Sequence, residues 1–258
     1  MIKSKNKAAV LISSYDGSKS LWSPLAKSYK KYWPDNYLKI YLATNHEKPK
    51  FDKFNILAIG NEKSWSDNIL KCLNLIEEDY IILTFDDLFL YKKIDMELVE
   101  KYIDFTFQNN WDYLRLHPSP KPDKYINEYY GQILPYRPYR CSTVFSIIKK
   151  DTLKELLIDT ESAWEFERNA SARSNEFVDF YVSKKLVFPY LNAIVKGKWV
   201  PSVFKKLEKE GFELNRESFP FMTNLEFLIE IIKRIRLKLF FNLIPKSLQL
   251  TIRKRIKR

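Results

Sequence analysis

Two adjacent carboxylates, Asp86 and Asp87, sit between an apolar run, Tyr80-Ile-Ile-Leu-Thr-Phe85, and a second apolar group, Leu88-Phe-Leu-Tyr91. Like charges in such a setting are costly unless something neutralises them. A hard divalent cation does so. Mg2+ or Mn2+ takes oxygen ligands, is held by one or two carboxylates, and completes its shell with phosphate oxygens. The competing reading is a solvated turn in which one of the pair caps the following segment. Placement separates the two. The run reads as a buried strand, and in open α/β sheets ligands bind outside the C-terminal ends of such strands.

The elements that would position this pair alternate. Residues 7–16 (KAAVLISSYD) read as a first strand entering a loop, and 23–33 as a helix opening on Ser-Pro. Residues 37–45 and 54–60 read as strands. Trp65, Ile69, Leu73 and Ile76 give 64–76 helical spacing, with Ser64 as N-cap and Asp67 three residues on. Residues 79–85 form the fourth strand, 96–108 a helix and 111–116 another strand. Residues 117–140 carry five prolines and read as a long functional loop. A strand over 141–150 and helices from 151 and 162 follow. The pattern predicts one α/β domain with a mostly parallel sheet covered by helices. With five glycines in the chain, no glycine-rich phosphate loop is present.

The order VLISSYD, SWSDNILKCL, YIILTFDD, then CSTVFSIIKKDTLKELL and ESAWEFE resembles bacterial GT-A-fold glycosyltransferases of the surface-polysaccharide (lipopolysaccharide or capsule) type, over roughly residues 8–200. The resemblance implies a GT-A-like sheet whose acidic Asp-x-Asp-type motif binds the metal that bridges a nucleotide diphosphate. Phe85 stands where a strict motif ending at Asp87 has an acid; the resemblance then points to Asp87 first and Asp86 second as metal ligand, with Asp86 facing metal, sugar or ribose, and leaves open which of the two ligates directly. It also implies that Ser13, Ser14, Tyr15 and Asp16 line the nucleotide pocket, that Asp67 points into it or serves as half of a helix cap, and that the donor is a nucleotide sugar, the cofactor Mn2+ or Mg2+, and the acceptor a glycan, often lipid-linked.

An inverting transfer needs a carboxylate to take the proton of the acceptor hydroxyl. In ESAWEFERN the candidates are Glu165 and Glu167, beside Trp164 as a wall for a sugar ring or as a core residue. Ser162-x-x-Glu165 also fits a capping box, which gives Glu165 a structural alternative. His46 reads as an exposed loop residue. His117 sits at a strand end as an acceptor or metal contact, or as a plain loop residue. Arg137, Arg140 and Arg173 are guanidinium candidates for an anion, and Lys196-Gly-Lys198 a basic turn or the diphosphate end of the donor site.

Charge is uneven. Residues 225–258 hold ten Lys/Arg against two Glu, so most of the net +12 lies there. This excludes a uniformly basic nucleic-acid binder and favours a nearly neutral domain, 1–222, with a basic helical tail, 223–258. Leu225, Leu228, Ile231, Ile232, Ile235 and Leu239 share one helical face; Pro245 ends the helix, and a second basic segment follows at 247–258. Such a helix suits an anionic membrane surface. Cys72 and Cys141 read as free thiols, the apolar segment near the start is too short for a secretory signal, and no apolar run spans a bilayer. The expectation is a cytoplasmic enzyme peripheral to the inner membrane face, with no nucleic-acid partner. The alternatives are a nucleotidyltransferase, or a non-enzymatic module that binds membrane or nucleic acid.

Overall fold

The structure, a computed structural model, describes residues 7–243. In chain order the elements are β1 (Ala8–Ser13), α1 (Lys19–Tyr32), β2 (Ile40–Thr44), β3 (Phe54–Ala58), α2 (Trp65–Leu75), β4 (Tyr80–Phe85), β5 (Leu88–Leu90), α3 (Met96–Gln108), β6 (Tyr113–Arg115), β7 (Lys124–Tyr125), β8 (Tyr130–Gln132), β9 (Ser146–Lys149), α4 (Lys150–Leu156), α5 (Ala163–Arg173), β10 (Phe180–Ser183), β11 (Tyr190–Asn192), β12 (Ile194–Val195), β13 (Lys198–Trp199), α6 (Pro201–Lys209) and α7 (Asn224–Leu243).

Nine strands form one sheet in the order β3-β2-β1-β4-β9-β6-β10-β8-β7. The half from β3 to β4 is parallel throughout. β9 runs antiparallel between β4 and β6, and β8 antiparallel between β10 and β7; the other strands share one direction. A mostly parallel sheet is therefore present, with the reversed β9 at its centre.

Every residue of β1 is buried, because both faces of the strand are covered. Ala8, Val10 and Ile12 pack under α1 and α3, through Leu21, Leu25, Tyr29, Val99 and Tyr102. Ala9 and Leu11 pack on the other face with Ile69 and Leu73 of α2 and Phe166 of α5. Leu21, Leu25 and Tyr29 recur at four-residue spacing and so form one stripe on α1. That helix starts four residues before the Ser-Pro pair, which leaves Pro24 inside it.

The 117–140 loop contains the short strands β7 and β8 and is anchored from below by two buried arginines. Arg115 donates to the carbonyls of Tyr139 (3.1 Å) and Pro120 (3.3 Å). Arg140 donates to the carbonyls of Ile133, Ser174 and Phe177 and lies over the Phe180 ring. Both cysteines are buried and free.

Helix α7 opens on a reciprocal cap, with Glu226 N donating to Thr223 Oγ1 and Thr223 N to Glu226. Pro245 and the basic segment 247–258 lie outside the described residues. Among the described residues no helix is long and apolar enough to cross a membrane.

Candidate active site

β1 and β4 are parallel neighbours in register, Ser13 beside Phe85. From β1 the chain passes over one face, through α1, to β2; it returns over the opposite face, through α2, to β4. The C-terminal ends of β1 and β4 therefore flank the point where the winding reverses, and loops there leave a crevice. Ser14–Ser18 form one wall and Asp86–Asp87 the other.

Asp86 is the supported member of the pair. Trp22 Nε1 donates to Ser14 Oγ at 2.7 Å, so the Ser14 hydroxyl hydrogen is left to point at Asp86, to which it is hydrogen-bonded. Ser18 supplies a second hydroxyl, and the Asp86 amide donates to the Ser13 carbonyl at 3.3 Å. Burial pushes the Asp86 carboxyl up to about 6, against the lowering pull of the two serines.

Asp87 is half-buried, and its carboxylate takes no hydrogen bond from another residue among the described residues. Its carbonyl accepts from the Ala193 amide at 2.9 Å, which locks the pair to the end of β11. Burial, then the neighbouring Asp86 charge, raises its carboxyl to about 8. Next to Ala193, Asn192 carries a buried side-chain oxygen with no partner.

These donors suit a hard cation. Two adjacent carboxylates are oxygen ligands, and burial without a compensating positive charge is what raises their proton affinity. No group of three or more His, Cys, Asp or Glu side chains gathers around a metal position among the described residues. A divalent ion here would need oxygens from a bound ligand to complete its shell.

The remaining sequence candidates separate clearly. Ser13 Oγ accepts from Trp65 Nε1 at 2.9 Å, which ties β1 to the start of α2. Tyr15 is about half exposed, and its ring lies over Gly17; a Cβ at Gly17 would come within 2.3 Å of Tyr15 Cε2. Asp16 is bound by the loop that follows β2. Its carboxylate accepts from the amides of Asn45, His46 and Glu47, at 2.9, 2.9 and 3.2 Å. Burial raises its pKa, the three amides lower it, and the balance lies below the ordinary value. Asp67 pairs with Lys71 at 2.7 Å, while its amide is capped by Ser64.

Helix α5 reaches the same edge. The Ser66 amide donates to the Glu161 carbonyl at 3.1 Å, and Trp65 packs on both Phe85 and Phe166. Glu165 takes the structural option: it completes the capping box with Ser162, is half-buried, and is held below its ordinary pKa by the Ser162 hydroxyl and amide. Glu167 is half-buried. Its Oε1 accepts from Ser142 Oγ (3.1 Å), Thr143 N (2.9 Å) and Thr143 Oγ1 (2.9 Å), and its Oε2 accepts from none of the described residues. Trp164 is 76% exposed, so it is no core residue.

His117 packs beside Tyr190, with ring centroids 6.2 Å apart, and burial holds its imidazole below the ordinary value. The basic candidates are engaged elsewhere: Arg137 pairs with Asp123, Arg173 with Glu161, and Arg140 binds carbonyls. Lys196 and Lys198 pair with Glu230 and Glu226 of α7 rather than standing at the crevice. Sequence reasoning missed Ser18 and Trp22, which act through a hydrogen-bond chain visible only once the chain after β1 packs against the end of β4.

No family model matches the chain, and no curated protein matches it by sequence. Among solved structures it is similar to S. aureus TarS 1-349 in complex with UDP-GlcNAc, at 13% identity over 94% of this chain and 69% of that one, TM-score 0.49. Against a longer S. aureus TarS chain the identity is 15%, covering 82% of this chain and 41% of that one, TM-score 0.47. This chain thus spans less than half of that protein. A UDP-glucose pyrophosphorylase complexed with UDP-glucose is similar at 9% identity over 72% of this chain and 91% of that one, TM-score 0.43. Likeness at this level carries no conclusion about activity.

Proposed function

We propose that the chain is a glycosyltransferase that moves a sugar from a nucleoside-diphosphate donor to a hydroxyl of a glycan acceptor. The observation that carries this reading is the asymmetry of the acid pair. Asp86 is held by Ser14 and Ser18, whereas the Asp87 carboxylate, at the switch point of the sheet, takes a hydrogen bond from its own amide and from no other residue among the described ones. An anionic ligand cannot approach two carboxylates unaided. Asp87, with Asp86 beside it, would hold Mn2+ or Mg2+, which when bound neutralises the diphosphate leaving group.

The chain's own residues supply the rest. Tyr15, fixed over Gly17, offers a stacking face for a nucleobase. Exposed Trp164 offers one for an acceptor sugar. The acceptor oxygen attacks the anomeric carbon, the bond from that carbon to the phosphate oxygen breaks, and its electron pair leaves with the nucleoside diphosphate. Glu167 takes the hydroxyl proton on Oε2, its other oxygen being anchored by Ser142 and Thr143. Glu165, committed to its cap, is the weaker candidate for this step. The five sequence segments that resemble surface-polysaccharide glycosyltransferases support a glycan acceptor, lipid-linked in many such systems.

Incubation with a panel of nucleotide sugars, with and without Mn2+, tests the reading. Metal-dependent release of nucleoside diphosphate is expected. Formation of nucleotide sugar and pyrophosphate from sugar 1-phosphate and a nucleoside triphosphate would make the chain a nucleotidyltransferase instead.

A further inference from the structure

Helix α7 meets the body along one side only. Glu226, Phe227, Glu230 and Ile231 are half-buried there, and Lys198 and Lys196 of the β12–β13 hairpin bind Glu226 (2.6 Å) and Glu230 (2.7 Å). The opposite side carries Leu225, Leu228, Ile229, Ile232, Ile235 and Leu239, each between 41 and 67% exposed. At about 100° per residue these six fall within an arc of about 120°. Nothing among the described residues covers them.

The charges say what does. Glu226 and Glu230 are the only acids in residues 225–258, and both are turned inward and neutralised. Exposed Lys233 and Arg236 flank or interrupt the apolar arc, and the sequence beyond it adds Lys246, Arg253, Lys254, Arg255, Lys257 and Arg258. A nucleic acid would satisfy the cations but leave six apolar side chains in water. A second copy would cover the apolar face but bring like charge against like. A bilayer interface takes both, the aliphatic side chains entering below the headgroups and the cations staying among anionic ones.

We propose that this outward face of α7 docks the protein flat on an anionic lipid surface. The proposal stands on the helix and does not require the reading of the crevice. The hairpin that grips α7 is continuous with Ala193, whose amide binds the Asp87 carbonyl, so the docked helix and the acid pair share one rigid support.

Vesicle flotation of the full chain tests it, with phosphatidylcholine vesicles made with and without phosphatidylglycerol. The native protein should float with the anionic vesicles only, less so as salt rises. Ile232→Glu/Ile235→Glu, on an exposed face, should keep the native unfolding midpoint and weaken binding by about tenfold or more. Lys233→Gln/Arg236→Gln should weaken it by a few-fold and leave the apolar contact. Equal flotation with neutral vesicles, unchanged flotation of the Glu variant, or a native dimer that the Glu variant dissolves would each overturn the proposal, the last by making the face a homotypic interface. Because no nucleotide enters the assay, its failure is distinct from failure of the transferase reading.

Discussion

Ser14 donates its hydroxyl hydrogen to Asp86, a residue 72 positions away, because Trp22 Nε1 already occupies the oxygen of that hydroxyl. A short chain of donors thus runs from the core face of α1 to the acid pair. It fixes which carboxylate is structural and which is left for a ligand. Removing the middle link should be felt as stability. Ser14→Ala strips a buried carboxylate of a partner and should cost about 1–3 kcal/mol, read from denaturant unfolding. A loss below about 0.5 kcal/mol would mean that the chain of donors does not support Asp86.

The pair also sets a pH dependence. Both carboxyls have folded pKa values above the ordinary 3.8, about 6 for Asp86 and about 8 for Asp87. Across that window these two groups bind more protons in the folded state than in the unfolded one, so their contribution to stability is full below about pH 4 and falls as pH rises toward 8. Unfolding in the presence of a chelator should show this decline, and Asp87→Asn should flatten it and stabilise the protein at pH 8. A profile equally steep in the variant would place the titrating group elsewhere.

Gly17 matters through what lies on it. A Cβ there would run into the Tyr15 ring, at 2.3 Å, while the backbone stays free of strain. Gly17→Ala should therefore keep the fold, displace Tyr15, and weaken nucleotide binding by the loss of a stack worth about 1–3 kcal/mol. Tyr15→Ala should weaken it to a similar extent. Normal affinity in both, measured by calorimetry, would remove Tyr15 from the nucleotide site.

Glu165 and Glu167 are separated by paired substitutions. Glu165→Gln keeps an oxygen to accept from the Ser162 amide, so it should leave both the capping box and turnover near native. Glu167→Gln keeps an acceptor oxygen for Ser142 and Thr143 and should lower turnover by about 100- to 10,000-fold with donor binding intact. The reverse pattern would return the base to Glu165.

Much of this was legible in the sequence. The apolar runs at 7–16 and 79–85 correspond to β1 and β4, and helical spacing marked α2, α3 and α5 within a few residues. Asp86–Asp87 followed from its place after a buried run, and Ser162-x-x-Glu165 spelled its own cap. What stayed hidden depends on distant partners. β5, β7, β8 and β11–β13 are two or three residues long, too short to show a period; β5, β8 and β11 exist because a remote strand pairs with them, and β7, β12 and β13 because a short hairpin closes. β9 reverses direction with no signal in its composition. The arginines look alike in sequence, yet Arg115 and Arg140 bind carbonyls inside the protein, those of Tyr139, Pro120 and Ile133 in the 117–140 loop and those of Ser174 and Phe177 after α5, which lie outside strand ladders.

The central claim is that Asp87 is the open metal-binding carboxylate of a nucleoside-diphosphate site. Titration of nucleoside diphosphates into the native protein and into Asp87→Asn, each with Mn2+ and with chelator, tests it most directly. Native protein should bind one of them with an affinity that depends on Mn2+. The variant, folded and at least as stable at pH 8, should lose about 10–100-fold or more of that affinity and its dependence on Mn2+. Undiminished Mn2+-dependent binding by Asp87→Asn, or native binding indifferent to Mn2+, would contradict the account.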